Sequence, residues 1–209
     1  MYVPAHFEQS DPAILLEVMQ RHNFATLVSL VDGALFATHV PVLVRPVAGA
    51  LDGTLEIVGH VARANAHWRG LQTSPAAMVI FQGPHTYISP TLFSQTNRVP
   101  TWNYIVVHAN GSAVVDESDV GKLALLEALI AHHEAAYQPQ FEALEPHMRQ
   151  GLLDAIVGFT IRIERLQGKF KIGQHRLAGD RPEMQAWHEA GGENERALAD
   201  WMKRLGYWS

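Results

Sequence analysis

The stretch FQGPHTYISPTLFSQTNRVPTWN, residues 81–103, is too polar for a protein core and too aromatic for an ordinary solvated loop. It begins where the apolar run of residues 76–81 ends. Aromatic faces next to hydrogen-bonding groups suit a flat ligand with polar edges. A rigid loop whose aromatic side chains only cover one end of a barrel explains the composition equally well, because turn residues and surface aromatics often occur together.

The composition around this stretch is that of a globular protein. The chain has 209 residues, 47% of them hydrophobic and 18% charged, which suits one domain, or one domain with an appended subdomain. The absence of cysteine excludes disulfides, zinc–thiolate sites and iron–sulfur sites, and it permits a reducing compartment. We find no secretory signal and no apolar run near the roughly 18 residues of a membrane span, so we expect a cytoplasmic protein with no membrane contact.

The charge balance bears on nucleic-acid binding. The formal net charge is −5, whereas proteins that neutralise many DNA phosphates usually carry a basic domain or stripe. Broad nonspecific DNA binding is therefore not expected, although a local patch is possible. The only cluster of basic residues lies within residues 169–181.

The first part of the chain predicts an antiparallel meander or small barrel. Asp32-Gly33 is a strong hairpin signal, and Pro41 indicates a sheet edge or a bend. We expect a turn at residues 49–53. The strands predicted around these turns are residues 25–31, 34–39, 42–44 and 55–60.

The remaining elements follow from the same signals. We expect a turn at Gly83-Pro84, an irregular segment over residues 90–101, and a bulge at Gly111. The predicted strands are residues 76–82, 87–89, 102–110 and 113–115, with 155–163 pairing with a last strand at 168–172. The predicted helices are residues 12–21, a short one from Asn65 or Ala66, 118–137, 146–153, 182–189 and 193–205.

Several common site motifs are absent from the sequence. There is no dinucleotide fingerprint after a strand, no P-loop, no nucleophile elbow and no His-Glu-x-x-His. His132, His133 and Glu134 are adjacent, so they point to different faces of a helix. Metal ligands on one helix need spacings of three or four, so a solvated helix end is the better interpretation and no metal site is predicted.

Three polar clusters lie at the ends of predicted strands, where a small barrel could bring them together. Each has an ordinary alternative as edge-strand residues, a helix cap or a solvated cation. The clusters are Thr38 and His39; His60, Arg63, Asn65 and Arg69; and Gln82, His85, Trp102 and Asn103.

Together these clusters match the requirements of flavin mononucleotide (FMN). The ring needs hydrogen-bonding partners along one edge and an aromatic or apolar plate against its face. The phosphate needs a cation and backbone donors near a helix start. Arg63 and Asn65 could serve the phosphate at the predicted strand–helix junction, because arginine offers a planar fork of donors.

Seven segments together resemble the PaiB family, which is described as FMN-binding negative transcriptional regulators linked to protease synthesis and sporulation in bacilli. The resemblance runs in order along nearly the whole chain, and FQGPHTYIS and VPTWNY are its most specific parts. The segments are MYVPAHF, ATHVPVL, GHVARANAHWR, VIFQGPHTYISP, VPTWNY, AIVGFTIRIERLQGKFKIGQHR and ADWMKRL.

The resemblance implies an α+β, mainly β fold, an antiparallel FMN-binding split β-barrel with flanking helices. It implies a single domain over residues 1–209, with a helical insertion near 117–153 and a helical tail near 181–206. It also implies a homodimer with FMN at the subunit interface. The cofactor-binding residues it implies are Thr38, His39, His60, Arg63, Asn65, Gln82, Gly83, His85, Trp102, Asn103, Lys171 and Gln174.

One segment departs from the family pattern. Relatives often read Lys-(Leu/Ile)-Ser-Gln-Asn where this chain has KIGQH at residues 171–175. Gly173 removes a hydroxyl donor and leaves the role of the segment open.

Two functions follow as expectations. The first is a dimeric FMN-binding negative transcriptional regulator that represses either directly or indirectly. Direct binding to DNA is not supported by the net charge, because the chain is acidic, and the sequence lacks a clear helix-turn-helix. The alternative is an FMN-dependent oxidoreductase or flavin reductase acting on a small molecule, since the cofactor would carry the electron chemistry and nearby histidines could move protons. A haem-handling protein is less favoured, because no Cys-x-x-Cys-His is present.

Overall fold

A computed structural model of the chain describes residues 1–50, 53–94 and 97–208. These residues form two compact units. The terminal unit comprises Met1–Val18, Gln82–Val107 and Gln167–Ser209, and the central unit comprises Met19–Phe81 and His108–Leu166.

The described residues contain a seven-stranded antiparallel sheet in the order β1-β7-β4-β3-β2-β5-β6, and β7 also pairs with β6. With its flanking helices this is the predicted split barrel. The strands are β1 (Glu8–Gln9), β2 (Phe24–Val31), β3 (Ala34–Pro46), β4 (Leu55–Ala62), β5 (Ala76–Ile88), β6 (Thr101–Asp116) and β7 (Ile156–Lys171). The helices are α1 (Pro12–Arg21), α2 (His67–Thr73), α3 (Asp119–Glu134), α4 (Gln138–Glu142), α5 (Pro146–Asp154), α6 (Arg181–Ala190) and α7 (Glu193–Arg204).

The predicted hairpin at Asp32-Gly33 is confirmed. Val31 pairs with Ala34 across it, and both turn residues have positive φ, 51° at Asp32 and 79° at Gly33. These angles match the tight turn whose twist suits two antiparallel strands. Of the predicted turn at residues 49–53, residues 51 and 52 lie outside the described residues.

Of the two alternatives predicted at Pro41, a sheet edge or a bend, the bend is wrong, because β3 runs through Pro41 without a break. Pro41 pairs with Phe24 of β2, while the next residue, Val42, pairs with Gly59 of β4. The proline therefore marks the place where β3 changes its pairing partner, and its missing N–H falls at that change.

The predicted turn at Gly83-Pro84 is also wrong, since β5 is one strand of 13 residues. The buried residues are odd-numbered up to Gly83 and even-numbered from Pro84 to Ile88. This change of parity is what one extra residue in a strand produces. Gly83 makes a close contact there, because a Cβ would stand only 3.1 Å from the backbone oxygen of Ile105 on the neighbouring strand.

Two further predicted irregularities are absent. The burial pattern of β6 alternates regularly through Gly111, so the predicted bulge is not present, and the two strands predicted at 155–163 and 168–172 are one strand of 16 residues, β7, rather than a hairpin. At Gly168, β7 pairs with Gln9, and a Cβ would stand 2.7 Å from the Gln9 carbonyl oxygen. These glycines permit close approach of a neighbouring backbone instead of a turn.

The helices follow their predicted positions closely. The side chain of Ser118 caps α3 by accepting from the backbone N–H of Gly121 at 3.1 Å. The apolar stripe of α3 is only partly buried, since Leu129 is buried and Val120 is 82% exposed. No helix within the described ranges is long and apolar enough to span a membrane.

Each unit has its own apolar core. In the terminal unit the tail helix α7 is tied to α1, because the Arg204 guanidinium donates to both carboxylate oxygens of Glu17 at 2.8 and 2.7 Å. The core of this unit includes Ile88, Ile105, Phe170, Ile172, Met184 and Leu198. The core of the central unit includes Leu27, Val42, Ile57, Val79, Val157 and Ile161.

Candidate functional site

An aromatic cleft of about 440 Å³ lies on the terminal unit. Two neighbouring strands, β5 and β6, provide its entire lining: Gln82, His85, Trp102, Tyr104, Ile105 and Val106. Its volume is within the range of small-molecule sites, and its lining combines large rings with a few polar groups. The segment singled out from the sequence therefore does form a cleft.

The parity change in β5 explains how the two polar residues of the cleft come together. Gln82 and His85 are three positions apart, so a regular strand would place them on opposite faces. Because the alternation shifts at Gly83-Pro84, neither faces the buried side of the strand. On β6, Trp102 and Tyr104 alternate regularly with the buried residues Asn103 and Ile105.

The rings in and beside this cleft are close but largely uncovered. The centroids of His85 and Trp102 are 6.4 Å apart with an interplanar angle of 33°, and Tyr87 meets Trp102 edge-on at 6.1 Å. Trp102 is 51% exposed and Tyr87 is 46% exposed. The indole therefore offers a free face against which a planar ligand can stack.

The orientation of His85 has a chemical consequence. Its Nδ1 lies 3.2 Å from the carbonyl oxygen of Gly83. A carbonyl oxygen can only accept, so Nδ1 carries the proton of the neutral ring. Nε2 is then left as an acceptor that can hydrogen-bond to, or take a proton from, a ligand in the cleft.

A hydrogen-bond network in the central unit was missed by sequence reasoning. Its centre is His67, which is fully buried at the start of α2. Its Nδ1 lies 2.7 Å from the Thr38 hydroxyl and its Nε2 lies 2.8 Å from the Ser29 hydroxyl. Asn65 completes the network by donating to the Thr38 hydroxyl at 3.1 Å and accepting from the His67 backbone N–H at 3.0 Å.

This network gives two predicted site residues, Thr38 and Asn65, a structural role. Asn65 organises the entry into α2, and Thr38 joins β3 to that entry. Burial lowers the pKa of His67, so its ring is neutral near pH 7. Nothing in the pattern of the surrounding ANAHWR segment distinguishes His67 from a solvated histidine.

The predicted phosphate residue Arg63 is already engaged by protein groups. Its Nε donates to the carbonyl oxygen of Asp154 at 2.9 Å, and its Nη1 pairs with Glu117 at 2.8 Å. Its Nη2 lies 3.4 Å from the carbonyl oxygen of Ile156. A phosphate at this position would have to displace the Glu117 carboxylate.

Two further predicted residues of the central unit have different surroundings. His39 is exposed, and its Nδ1 lies 3.0 Å from the Thr26 hydroxyl. His60 is half-buried, burial lowers its pKa, and its buried Nδ1 has no hydrogen-bond partner among the described residues. His60 therefore retains a free polar atom for a ligand, whereas His39 faces solvent.

The last three predicted residues lie in the terminal unit. The side chain of Lys171 donates to the Thr101 hydroxyl, and that of Gln174 folds back on its own backbone, accepting from the Ile172 N–H at 2.9 Å. Asn103 is only 1% exposed, and its Nδ2 is buried without a described partner.

Comparisons with known proteins agree with this fold. The family model described as "Putative FMN-binding domain" matches residues 1–165. The PaiB protein of Bacillus subtilis, "Protease synthase and sporulation protein PAI 2", is 34% identical over 181 residues, which cover 86% of this chain and 85% of that protein. The chain belongs to the PaiB family.

Solved structures show the same fold at lower identity. The flavocytochrome Anf3 from Azotobacter vinelandii superposes with a TM-score of 0.61 at 14% identity, covering 81% of this chain and 72% of that one. The FAD and heme binding protein from Mycobacterium smegmatis gives a TM-score of 0.61 at 17% identity, covering 88% of this chain and 80% of that one. PaiB family membership assigns FMN as the cofactor, and the aromatic cleft suits its ring.

Buried histidines lead to a prediction on stability and pH. An unfolded chain protonates its histidines near pH 6.5, whereas burial lowers the pKa of His67 and His60 in the folded protein. Below pH 6.5 the unfolded state therefore binds more protons, and stability is lost as the pH falls toward the folded pKa values. Each such histidine contributes a slope of at most about 1.4 kcal/mol per pH unit.

Urea unfolding measured from pH 7.5 down to pH 5 tests this prediction. We expect His67→Asn to flatten the pH dependence, whereas His133→Gln, an exposed histidine at the end of α3, leaves it unchanged. A wild-type stability that does not change over this pH range contradicts the prediction.

Proposed function

We propose that this chain is an FMN-binding, PaiB-like negative regulator whose flavin ring lies in the aromatic cleft of the terminal unit. The cleft carries the proposal, because about 440 Å³ of space is lined by Trp102 and Tyr104 with Gln82 and His85 among its polar groups. When bound, FMN supplies one- or two-electron redox chemistry.

Each cleft residue has a proposed role toward the ring. Trp102 stacks against its face, and the Gln82 amide and His85 Nε2 hydrogen-bond to its polar edge. Gly83 allows the neighbouring backbone to approach closely. For the central unit, the FMN contacts implied by the resemblance, Thr38, His39, His60, Asn65 and Arg63, stay a prediction that is separate from this cleft. Arg63 itself is held by the Asp154 carbonyl oxygen and the Glu117 carboxylate.

A homodimer is part of this proposal. A small-molecule site normally buries about 70–90% of its ligand, and two strands of one sheet cannot do so. Trp102 and Tyr87 are also unusually exposed for large aromatic residues. A second copy of the chain would cover the open side of the cleft and remove these rings from water, which is the arrangement that family resemblance implies for split barrels.

We propose that repression is indirect. The net charge of −5 opposes the neutralisation of DNA phosphates that direct binding requires. Histidine chemistry in the cleft also supports an FMN-dependent oxidoreductase as a second candidate, because Nε2 of His85 is available as a proton acceptor. A regulator of this kind could sense or alter a small molecule through its flavin.

A gel-shift titration tests the regulatory part. Purified protein with FMN is incubated with DNA from upstream of its candidate target genes across a range of salt concentrations. We expect no shift, even at low salt, because long-range attraction is strongest there. A shift whose affinity falls steeply with salt would show direct phosphate contact and overturn indirect repression.

A further inference from the structure

Cationic side chains gather in the terminal unit where β7 ends. Lys171 is the last residue of β7, and Arg176 follows five residues later. The Arg176 guanidinium lies over the Phe93 ring at 4.0 Å from its centroid. The ring of His175 packs against Phe7 at 5.2 Å and against His6 at 5.9 Å, both between centroids.

These cations lack matching anions. Within the described ranges, none of Arg98, Lys171 and Arg176 forms an ion pair. Asp180 is the carboxylate beside Arg98 and Arg176, and it already accepts from the Ser94 N–H at 2.9 Å and the Ser94 hydroxyl at 2.6 Å. The segment therefore carries excess positive charge.

Burial and mutual repulsion both lower the pKa of these groups. Burial and then Arg176 lower the pKa of Lys171, while burial and then Arg98 lower the pKa of Arg176. Burial, Arg176, His6, Lys171 and Arg98 together lower the pKa of His175 to about 4. A bound anion would relieve this crowding.

The same place holds buried donors that the protein leaves unsatisfied. Nε of Arg98, Nε of Arg176 and Nδ2 of Asn103 are buried and have no hydrogen-bond partner in the part of the chain that the structure describes. All three are donors, and Asn103 is only 1% exposed. Buried polar groups normally have partners, so a set composed only of donors points to an acceptor from outside the chain.

The Cβ position of Gly173 lies next to the Asn103 amide, the aliphatic part of Arg176 and the methyl group of Met184, which is the nearest of the three at 3.4 Å. Gly173 has a φ of +83°, and a Cβ built there would stand 3.9 Å from Asn103 Nδ2 and 3.8 Å from Arg176 Cγ. The position that a side chain would take therefore borders both residues as well as the apolar Met184.

We propose that Arg98, Lys171, Arg176 and the Asn103 amide form a binding site for an oxyanion, a phosphate or carboxylate group of a small molecule. Arginine donors match these planar or tetrahedral oxygens, and charge-assisted hydrogen bonds are the strongest available for holding them. The oxyanion belongs either to the phosphate of FMN or to a separate ligand, and both sources share this chemistry.

Calorimetric titration of flavin-free protein with inorganic phosphate, against chloride at equal ionic strength, tests the site without relying on the proposed function. We expect Arg176→Gln and Lys171→Met each to weaken phosphate binding about tenfold. Arg165→Gln removes the same charge from an exposed position on β7 and should leave the affinity unchanged. Circular dichroism shows whether each variant folds. If Arg176→Gln or Lys171→Met fails to fold, the phosphate affinity of the remaining site variant decides the test.

Absence of phosphate binding by the wild type, or equal affinities in Arg165→Gln and both site variants, would overturn the proposal. Titration with FMN and with riboflavin, which lacks the phosphate, then separates the two sources. If the variants lose affinity for FMN but not for riboflavin, the site holds the cofactor's phosphate. If they lose only inorganic phosphate and bind both flavins normally, the site serves a separate ligand.

Discussion

Replacing Gly111 with alanine is expected to lower the free energy of unfolding by about 3 kcal/mol, the upper part of the usual range for an overpacked site. The added Cβ would overlap the carbonyl oxygen of Arg162 and stand 2.9 Å from its carbonyl carbon. These atoms are backbone, so they cannot rotate aside as a long side chain would. Relief requires β6 and β7 to separate, which weakens their pairing in the central unit.

Urea unfolding followed by circular dichroism gives the required free energies. Gly151→Ala is the matched control, because it lies inside α5 and a Cβ there meets nothing within 4 Å. That control should gain roughly 0.5–1 kcal/mol from better helix propensity. Equal stabilities of the two variants would show that the strands tolerate a side chain at Gly111.

Replacing Trp102 with alanine is expected to weaken FMN binding about 10- to 100-fold, through loss of stacking and of buried apolar area. The same change should favour monomers, because Trp102 is a large exposed side chain on the proposed dimer face. Quenching of flavin fluorescence gives the affinity, and light scattering at micromolar concentration gives the mass.

Val120→Ala is the control for this experiment, since Val120 is an exposed apolar residue on α3 outside the cleft. It should change neither the affinity for FMN nor the mass. Unchanged FMN affinity in Trp102→Ala would contradict the placement of the flavin in this cleft. A monomeric wild type would contradict the proposed dimer but not the proposed binding of FMN in the cleft.

Local signals in the sequence were sufficient for some elements and misleading for others. The Asp32-Gly33 hairpin was predictable because the conformation of its two residues decides the turn. Gly83 and Gly111 carry a similar local signal, but each lies close to the backbone of a neighbouring strand that is distant in sequence. Close approach between strands cannot be deduced from the residues that flank a glycine.

Some residues of the candidate site could likewise be predicted from the sequence, and others could not. The residues of the cleft were found because they lie within a short, unusual segment of the sequence. His67 was missed because its importance depends on Ser29, which is 38 positions away in the sequence. The basic residues near Arg176 were noticed, but their significance depends on the buried amide of Asn103, which only the folded chain reveals.

Because of the register shift at Gly83-Pro84, the number of residues in this part of β5 matters more than their identity. Inserting a further residue between Phe81 and His85 would rotate every later side chain of β5 by half a turn, sending His85 and Tyr87 toward the interior and Thr86 and Ile88 into water. Deleting one residue there would instead restore the regular alternation and keep His85 and Tyr87 on the outer face. Natural variants should therefore tolerate altered residues here more readily than insertions.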